Sequence, residues 1–248
     1  MKNVLEAHNV TLRFGGVAAL TDCTVSVREG LTGLIGPNGA GKSSLVDVLT
    51  GYHRPTEGRV TLNGADIGGL SAHERARRGV VRTFQEAHVF DGLSVSENVI
   101  VAVEQSARVP RRARQGAVAE ALSEVGLLGE ASAMVDSLTH GQRKLLALAR
   151  VLVCRPAVLL LDEPGAGLDS DETAVLGDRL QTLSESGVAI LLIDHDLDLI
   201  RATCTDVTVL DFGAVIYHGD TTLALSDPRV SEAYLGRKAN NAAAGDHP

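Results

Sequence analysis

Apolar and polar residues alternate over positions 4–14, and again over 24–27, with the two-residue period of half-buried strands. Residues 31–35 form a short apolar run that ends at Gly36, and a helical pattern follows over 42–50. Residues 59–62 and 65–67 flank Asn63-Gly64, a pair that favours a tight hairpin. A short helix is predicted over 71–78, opened by Ser71 as its cap, and a strand over 80–84. From 86 to 150 strand-like runs disappear. Val95, Val99, Ala102 and Val103 share one helical face, as do Ala117, Ala121, Leu122 and Val125, and 141–152 is a third helical stretch. After it, apolar strands over 158–161 and 188–193 alternate with a helix over 171–183, and β-rich pieces follow at 207–210 and 214–217. Alternating strands and helices predict an α/β fold with a mainly parallel sheet. The early hairpins predict an N-terminal antiparallel β subdomain, and the helical run an inserted α-helical subdomain. The expected division is a core of 1–85 and 151–236, helices over 86–150, and a frayed tail over 237–248.

Composition narrows the function. Of 248 residues, 44% are hydrophobic, enough for a sizeable core, and no run approaches the ~18 apolar residues that cross a bilayer. The start of the chain lacks the charged and apolar regions of a signal peptide. Net charge is -8 and aromatics are only 3%, which argues against a nucleic-acid partner. Cys23, Cys154 and Cys204 are scattered, as expected of reduced thiols rather than a disulfide framework. Arg108, Arg111, Arg112 and Arg114 form a basic cluster that could touch anionic lipid head groups but more often would be a solvated loop.

The chemistry lies at strand ends. Gly36-Pro37-Asn38-Gly39-Ala40-Gly41-Lys42-Ser43 matches GxxxxGK[ST] between a strand and a helix. Glycines let successive N–H groups approach phosphate oxygens, and the helix adds its positive end. Lys42 would neutralise the β- and γ-phosphates, and the Ser43 hydroxyl would hold Mg²⁺. Asp162 ends the 158–161 strand and could hold that metal through water; Glu163 beside it could polarise an attacking water. Gln85 ends another strand and could reach metal and water, or be an ordinary polar strand end. His195 could hydrogen-bond the γ-phosphate, or be a solvated loop residue beside Asp194 and Asp196.

Together these residues resemble the ABC ATPase family, a P-loop NTPase fold, over about 4–236. The decisive stretch is Leu138-Thr139-His140-Gly141-Gln142, similar to the family's LSGGQ signature, with Thr for Ser and His for the first Gly. Gly165-Ala166-Gly167-Leu168-Asp169 resembles the D-loop, Phe14 the aromatic that stacks on adenine, and His195 the switch histidine. The resemblance implies ATP and Mg²⁺ as ligands. It groups Phe14, the phosphate loop with Ser44, the signature and Asp169 around nucleotide, and Ser43, Gln85 and Asp162 around the metal. It implies catalysis by Glu163, with His195 and Gln85 assisting.

It also implies a second ATPase subunit, identical or not, transmembrane permease subunits as partners, and a place at the cytoplasmic face of the plasma membrane. Within the family, Phe14-Gly15-Gly16-Val17-Ala18-Ala19-Leu20, Arg82-Thr83-Phe84-Gln85 and Ala233-Tyr234-Leu235-Gly236 are most similar to subunits of branched-chain amino acid uptake systems. Alternatives are the motor of another ABC system, such as lipopolysaccharide export, or a non-transport ABC ATPase. The segment 86–90 is expected to receive a short helix of the membrane subunit, with Phe90 as its contact or, alternatively, as a core anchor.

Overall fold

The computed structural model describes residues 3–83, 89–106 and 108–234. Its strands are β1 (Asn3–Phe14), β2 (Val17–Arg28), β3 (Gly30–Ile35), β4 (Glu57–Leu62), β5 (Ala65–Asp66), β6 (Val80–Arg82), β7 (Val158–Asp162), β8 (Ala189–Ile193), β9 (Asp206–Asp211) and β10 (Ala214–Asp220). Its helices are α1 (Lys42–Thr50), α2 (Ala72–Arg77), α3 (Val95–Gln105), α4 (Arg114–Glu124), α5 (His140–Leu152), α6 (Ser170–Glu185), α7 (Leu197–Thr203) and α8 (Thr221–Ser226).

Two sheets form. An antiparallel sheet runs β2-β1-β4-β5, and a six-stranded sheet runs β10-β9-β3-β8-β7-β6, parallel except for β10 against β9. The β4–β5 turn is set by Asn63 (φ 50°) and Gly64 (φ 79°), the left-handed pair that suits the twist of a two-residue hairpin. The apolar run of β7 splits by alternation. Leu159 and Leu161 join the core shared with α3, α4, α5 and α6, while Val158 and Leu160 join the core shared with α1 and the antiparallel sheet. In β8, Ile190 and Leu192 face the first core, and Ala189, Leu191 and Ile193 the second. Continuous apolar sequence is thus what a strand covered on both faces requires.

Three sequence readings are corrected. The second strand is 12 residues rather than four. Asn9 and Asp22 take left-handed backbone at an irregularity in the β1–β2 pairing and bond each other side chain to side chain at 2.8 Å, which breaks the alternation the eye follows. The short helices α7 and α8 were not expected; their N-caps Asp196 and Asp220 were legible, but helices this short carry little periodicity. The Arg108 to Arg114 cluster is not a plain loop. Arg111 and Arg112 lie in a single 3-10 turn, Arg114 opens α4, and Arg108 donates to the Arg155 carbonyl at 3.0 Å. The tail expected over 237–248 lies outside the described residues.

Candidate functional site

Parallel pairing brings three strand ends to one edge. Leu34 of β3 and Asp162 of β7 both pair with Ile193 of β8, so the phosphate loop, Asp162-Glu163 and His195 leave the sheet side by side. The carboxyl edge of a parallel sheet is where such folds bind ligands.

The phosphate loop is shaped by its glycines. Gly36 (φ 149°) passes so close to β9 that a Cβ there would lie 2.2 Å from the Leu210 carbonyl, and a Cβ on Gly41 (φ 104°) would lie 2.8 Å from the Ala19 carbonyl. Only glycine fits either place. Gly41 also begins α1, whose first turn has no side-chain cap, so the helix's N–H groups and positive end are directed into the loop. Pro37 and Ala40 are buried as the loop's floor, while Asn38, Gly39 and Ser43 are exposed and Ser44 is half-buried. Lys42 Nζ arches back over the loop, donating to the carbonyls of Gly36 (2.6 Å) and Pro37 (3.2 Å).

Asp162 is buried at the tip of β7. Burial pushes its carboxyl above the usual carboxylate range, and Arg82 is the chief opposing influence. Glu163 follows with φ 49°, a left-handed backbone unusual outside glycine, its N–H donating to the Ile193 carbonyl at 2.7 Å. Such strain persists where surrounding structure enforces it, commonly at functional sites. It brings the Glu163 carboxylate to 3.7 Å from Nδ1 of His195, which also lies 3.6 Å from Asp194. Asp194 is itself buried and accepts from the N–H groups of Gly165 and Asp196, tying the loop after Glu163 to the turn after β8.

The signature residues stand a helix away. Thr139 caps α5 in a reciprocal pair with Gln142, and the buried Gly141 N–H donates to Glu172 at 3.0 Å. Leu138 is buried; His140 is exposed and lies beside Gly167. Asp169 caps α6 by the same kind of box with Glu172. Lys144 of α5 ties this region to the loop after Glu163, donating to the carbonyls of Pro164 and Ala166. Burial lowers its ammonium below the usual lysine range. Phe14 is exposed at the end of β1 and meets the edge of His53 at 5.2 Å. Gln85 lies outside the described residues.

Sequence reading missed Arg82, Asp47, Lys144, Glu172 and Asp194. Arg82 had the clearest signal, a charged residue directly after two valines in a strand. Lys144 and Glu172 act through backbone groups of other segments, which no local pattern reports.

The donors suit a magnesium ion carried in with a nucleotide. Ser43 and Asp162 offer hard oxygens, and among the described residues no three His, Cys, Asp or Glu side chains group to hold a metal alone. Mg²⁺ characteristically takes one or two protein oxygens and completes its shell with phosphate and water.

Residues 20–166 match the family model described as ABC transporter, and the chain belongs to that family. It is an ABC-type ATPase. Two curated relatives extend the match to nearly the whole chain. The high-affinity branched-chain amino acid transport ATP-binding protein BraF of Pseudomonas aeruginosa is 37% identical, covering 94% of this chain and 98% of BraF. Its counterpart LivG of Escherichia coli is 34% identical at the same coverage. Among solved structures, the ADP conformation of an ATP-binding cassette of an ABC transporter superposes with a TM-score of 0.84 at 28% identity, covering 95% of this chain and 100% of that one.

Proposed function

We propose that this subunit powers uptake of branched-chain amino acids from the cytoplasmic face of a membrane, docked on separate permease subunits and paired with a second ATPase subunit. The observation that carries the reading is near-full-length similarity to BraF and LivG, joined to the loop of residues 36–43 and the carboxylates of Asp162 and Glu163 at one sheet edge. Among the described residues no helix is long and apolar enough to cross a membrane, which favours permeation by other chains.

In this reading the loop from Gly36 to Ser43, with Ser44, cradles the phosphates, and Lys42 neutralises their charge. Ser43, Asp162 and Gln85 hold Mg²⁺, which when bound offsets charge on the β- and γ-phosphates. Glu163 polarises the attacking water and His195 hydrogen-bonds the γ-phosphate. Phe14 stacks on the base. The segment from Leu138 to Gln142, with Asp169, serves the nucleotide held by the partner subunit, through the N-terminal end of α5. The core is 1–85 with 151–236, the helical subdomain 86–150.

Permease docking is assigned to Phe90 and the outer face of α3. Phe90 is 43% exposed beneath the Arg150 guanidinium, 4.6 Å from its ring. Asn98 of α3, fully buried, accepts from the Phe90 N–H and donates to the Phe90 carbonyl, so the exposed ring is held on a rigid helix. Ile100, 41% exposed on another face of α3, lines a groove of about 530 Å³ between α3 and α4. Val89 is half-buried against the helical core, so Phe90 is the better probe.

Phe90→Asp should shift the subunit's melting temperature by no more than about 2 °C. It should nonetheless lose co-purification with the permease and leucine uptake in membrane vesicles. Retained uptake would remove the docking assignment. Wild-type vesicles that take up no leucine, isoleucine or valine would remove the substrate class.

A further inference from the structure

The two groups assigned to magnesium on the described residues, Ser43 and Asp162, come from strands that do not touch. The phosphate loop leaves β3 and Asp162 ends β7, with β8 between them. Two strand spacings put those strands roughly 9–10 Å apart, so α1 must be held at a definite tilt for Ser43 to approach the carboxylate.

One side chain ties α1 to the end of β7. Arg82 is the last residue of β6, the strand beyond β7 at the sheet edge. Its guanidinium reaches two carboxylates at once: Nη1 lies 2.5 Å from Asp47 Oδ1, and Nη2 lies 3.3 Å from Asp162 Oδ2. The Arg82 side chain is only 14% exposed, and its guanidinium lies 5.4 Å from the centre of the Tyr52 ring. Asp47 is on α1, four residues after Ser43 and therefore one turn behind it on the same helix face. The two prongs of one planar group thus fix the helix face that presents Ser43 to the carboxylate at the end of β7. A lysine, a point charge on a flexible stem, cannot impose this geometry.

We propose that Arg82 is a positioning residue for the magnesium site, setting the separation of Ser43 and Asp162 by bridging Asp47 to Asp162. The inference rests on the magnesium assignment made above. Outer partners that orient a metal's ligands typically change metal affinity by about 10–100-fold when removed. Both prongs of Arg82 are engaged by Asp47 and Asp162, so nucleotide binding without metal should not depend on it.

The test uses the full chain with a non-hydrolysable ATP analogue. Mn²⁺ serves as the probe metal, its free fraction read by electron paramagnetic resonance, and nucleotide affinity is measured separately in EDTA. Arg82→Lys and Arg82→Met should each weaken Mn²⁺ binding by about tenfold or more. Nucleotide affinity in EDTA should stay within about twofold of wild type. Asp47→Asn, which leaves Arg82 and Asp162 in place, should weaken Mn²⁺ binding in the same direction. Combined with Arg82→Lys it should add less than the sum of the two, as for residues acting through one contact. Full rescue by lysine would show that charge alone matters and would overturn the proposal. So would tighter Mn²⁺ binding in Arg82→Met, or a parallel fall of nucleotide affinity in EDTA, which would mark a general prop of the fold. If the wild-type chain binds nucleotide but no Mn²⁺ with it, the magnesium assignment itself fails, a result distinct from any of these.

Discussion

At the scale of single residues, the phosphate loop could be read from sequence because its chemistry is contiguous. Eight neighbouring residues specify the turn, the donors and the charge, and the closeness of Gly36 to the Leu210 carbonyl explains why that position is glycine. Groups that act across the chain were silent. Asp194 sits 29 residues from the Gly165 N–H it accepts, and Arg82 sits 80 residues from Asp162. Neither spacing repeats or matches a helix face. The roles proposed for contiguous residues are testable one at a time. Lys42→Ala removes a cation held over the loop by two carbonyls. A lost charge-assisted contact costs about 1.5–3 kcal/mol, so ATP affinity should fall by about tenfold or more in a calorimetric titration. Wild-type affinity would mean that the loop binds something other than polyphosphate.

At the scale of elements, strongly patterned segments were legible and short ones were not. The helical faces of α3 and α4 follow from period, and the buried strands β7 and β8 from short continuous apolar runs. The anchoring of α1 does not. Its C-terminal turn is capped from α2 by Arg75, which is fully buried and donates from Nη1 to the carbonyls of Val48 (2.6 Å) and Leu49 (2.8 Å). Burial lowers the Arg75 pKa below the ordinary arginine value without making a neutral form accessible near pH 7. A cation at a helix C-terminus also complements the helix dipole. In sequence, Arg75 is merely one of several charged residues on a short polar helix, and nothing local marks it as internal. Arg75→Met roughly keeps the volume but removes a donor from the carbonyls of Val48, Leu49 and Gly68, of which Val48 keeps the Gly51 N–H, a loss of about 2–3 kcal/mol. Thermal unfolding should begin roughly 5–10 °C lower. An unchanged melting temperature would show that water replaces the guanidinium at no cost.

At the scale of the whole molecule, one sheet edge gathers the phosphate loop, the two carboxylates and His195, while the signature and Asp169 stand at the N-terminal ends of α5 and α6. Lys144 and Glu172 tie those two ends together within the chain, from α5 to the loop after Glu163 and from α6 to the N-terminus of α5. The order of motifs along the sequence foretold which parts exist, but the sheet order that sets β8 between β3 and β7 is a property of the folded chain. The role proposed for Glu163 is to activate the water with which this edge hydrolyses ATP. The measurement that reaches it most directly is turnover by Glu163→Gln beside wild type at saturating Mg²⁺ and ATP, with the bound nucleotide identified by chromatography. The amide keeps the shape and cannot take a proton, so turnover should fall by about 100-fold or more while ATP remains bound and intact. Turnover equal to wild type, or bound nucleotide recovered chiefly as ADP, would remove Glu163 from that role.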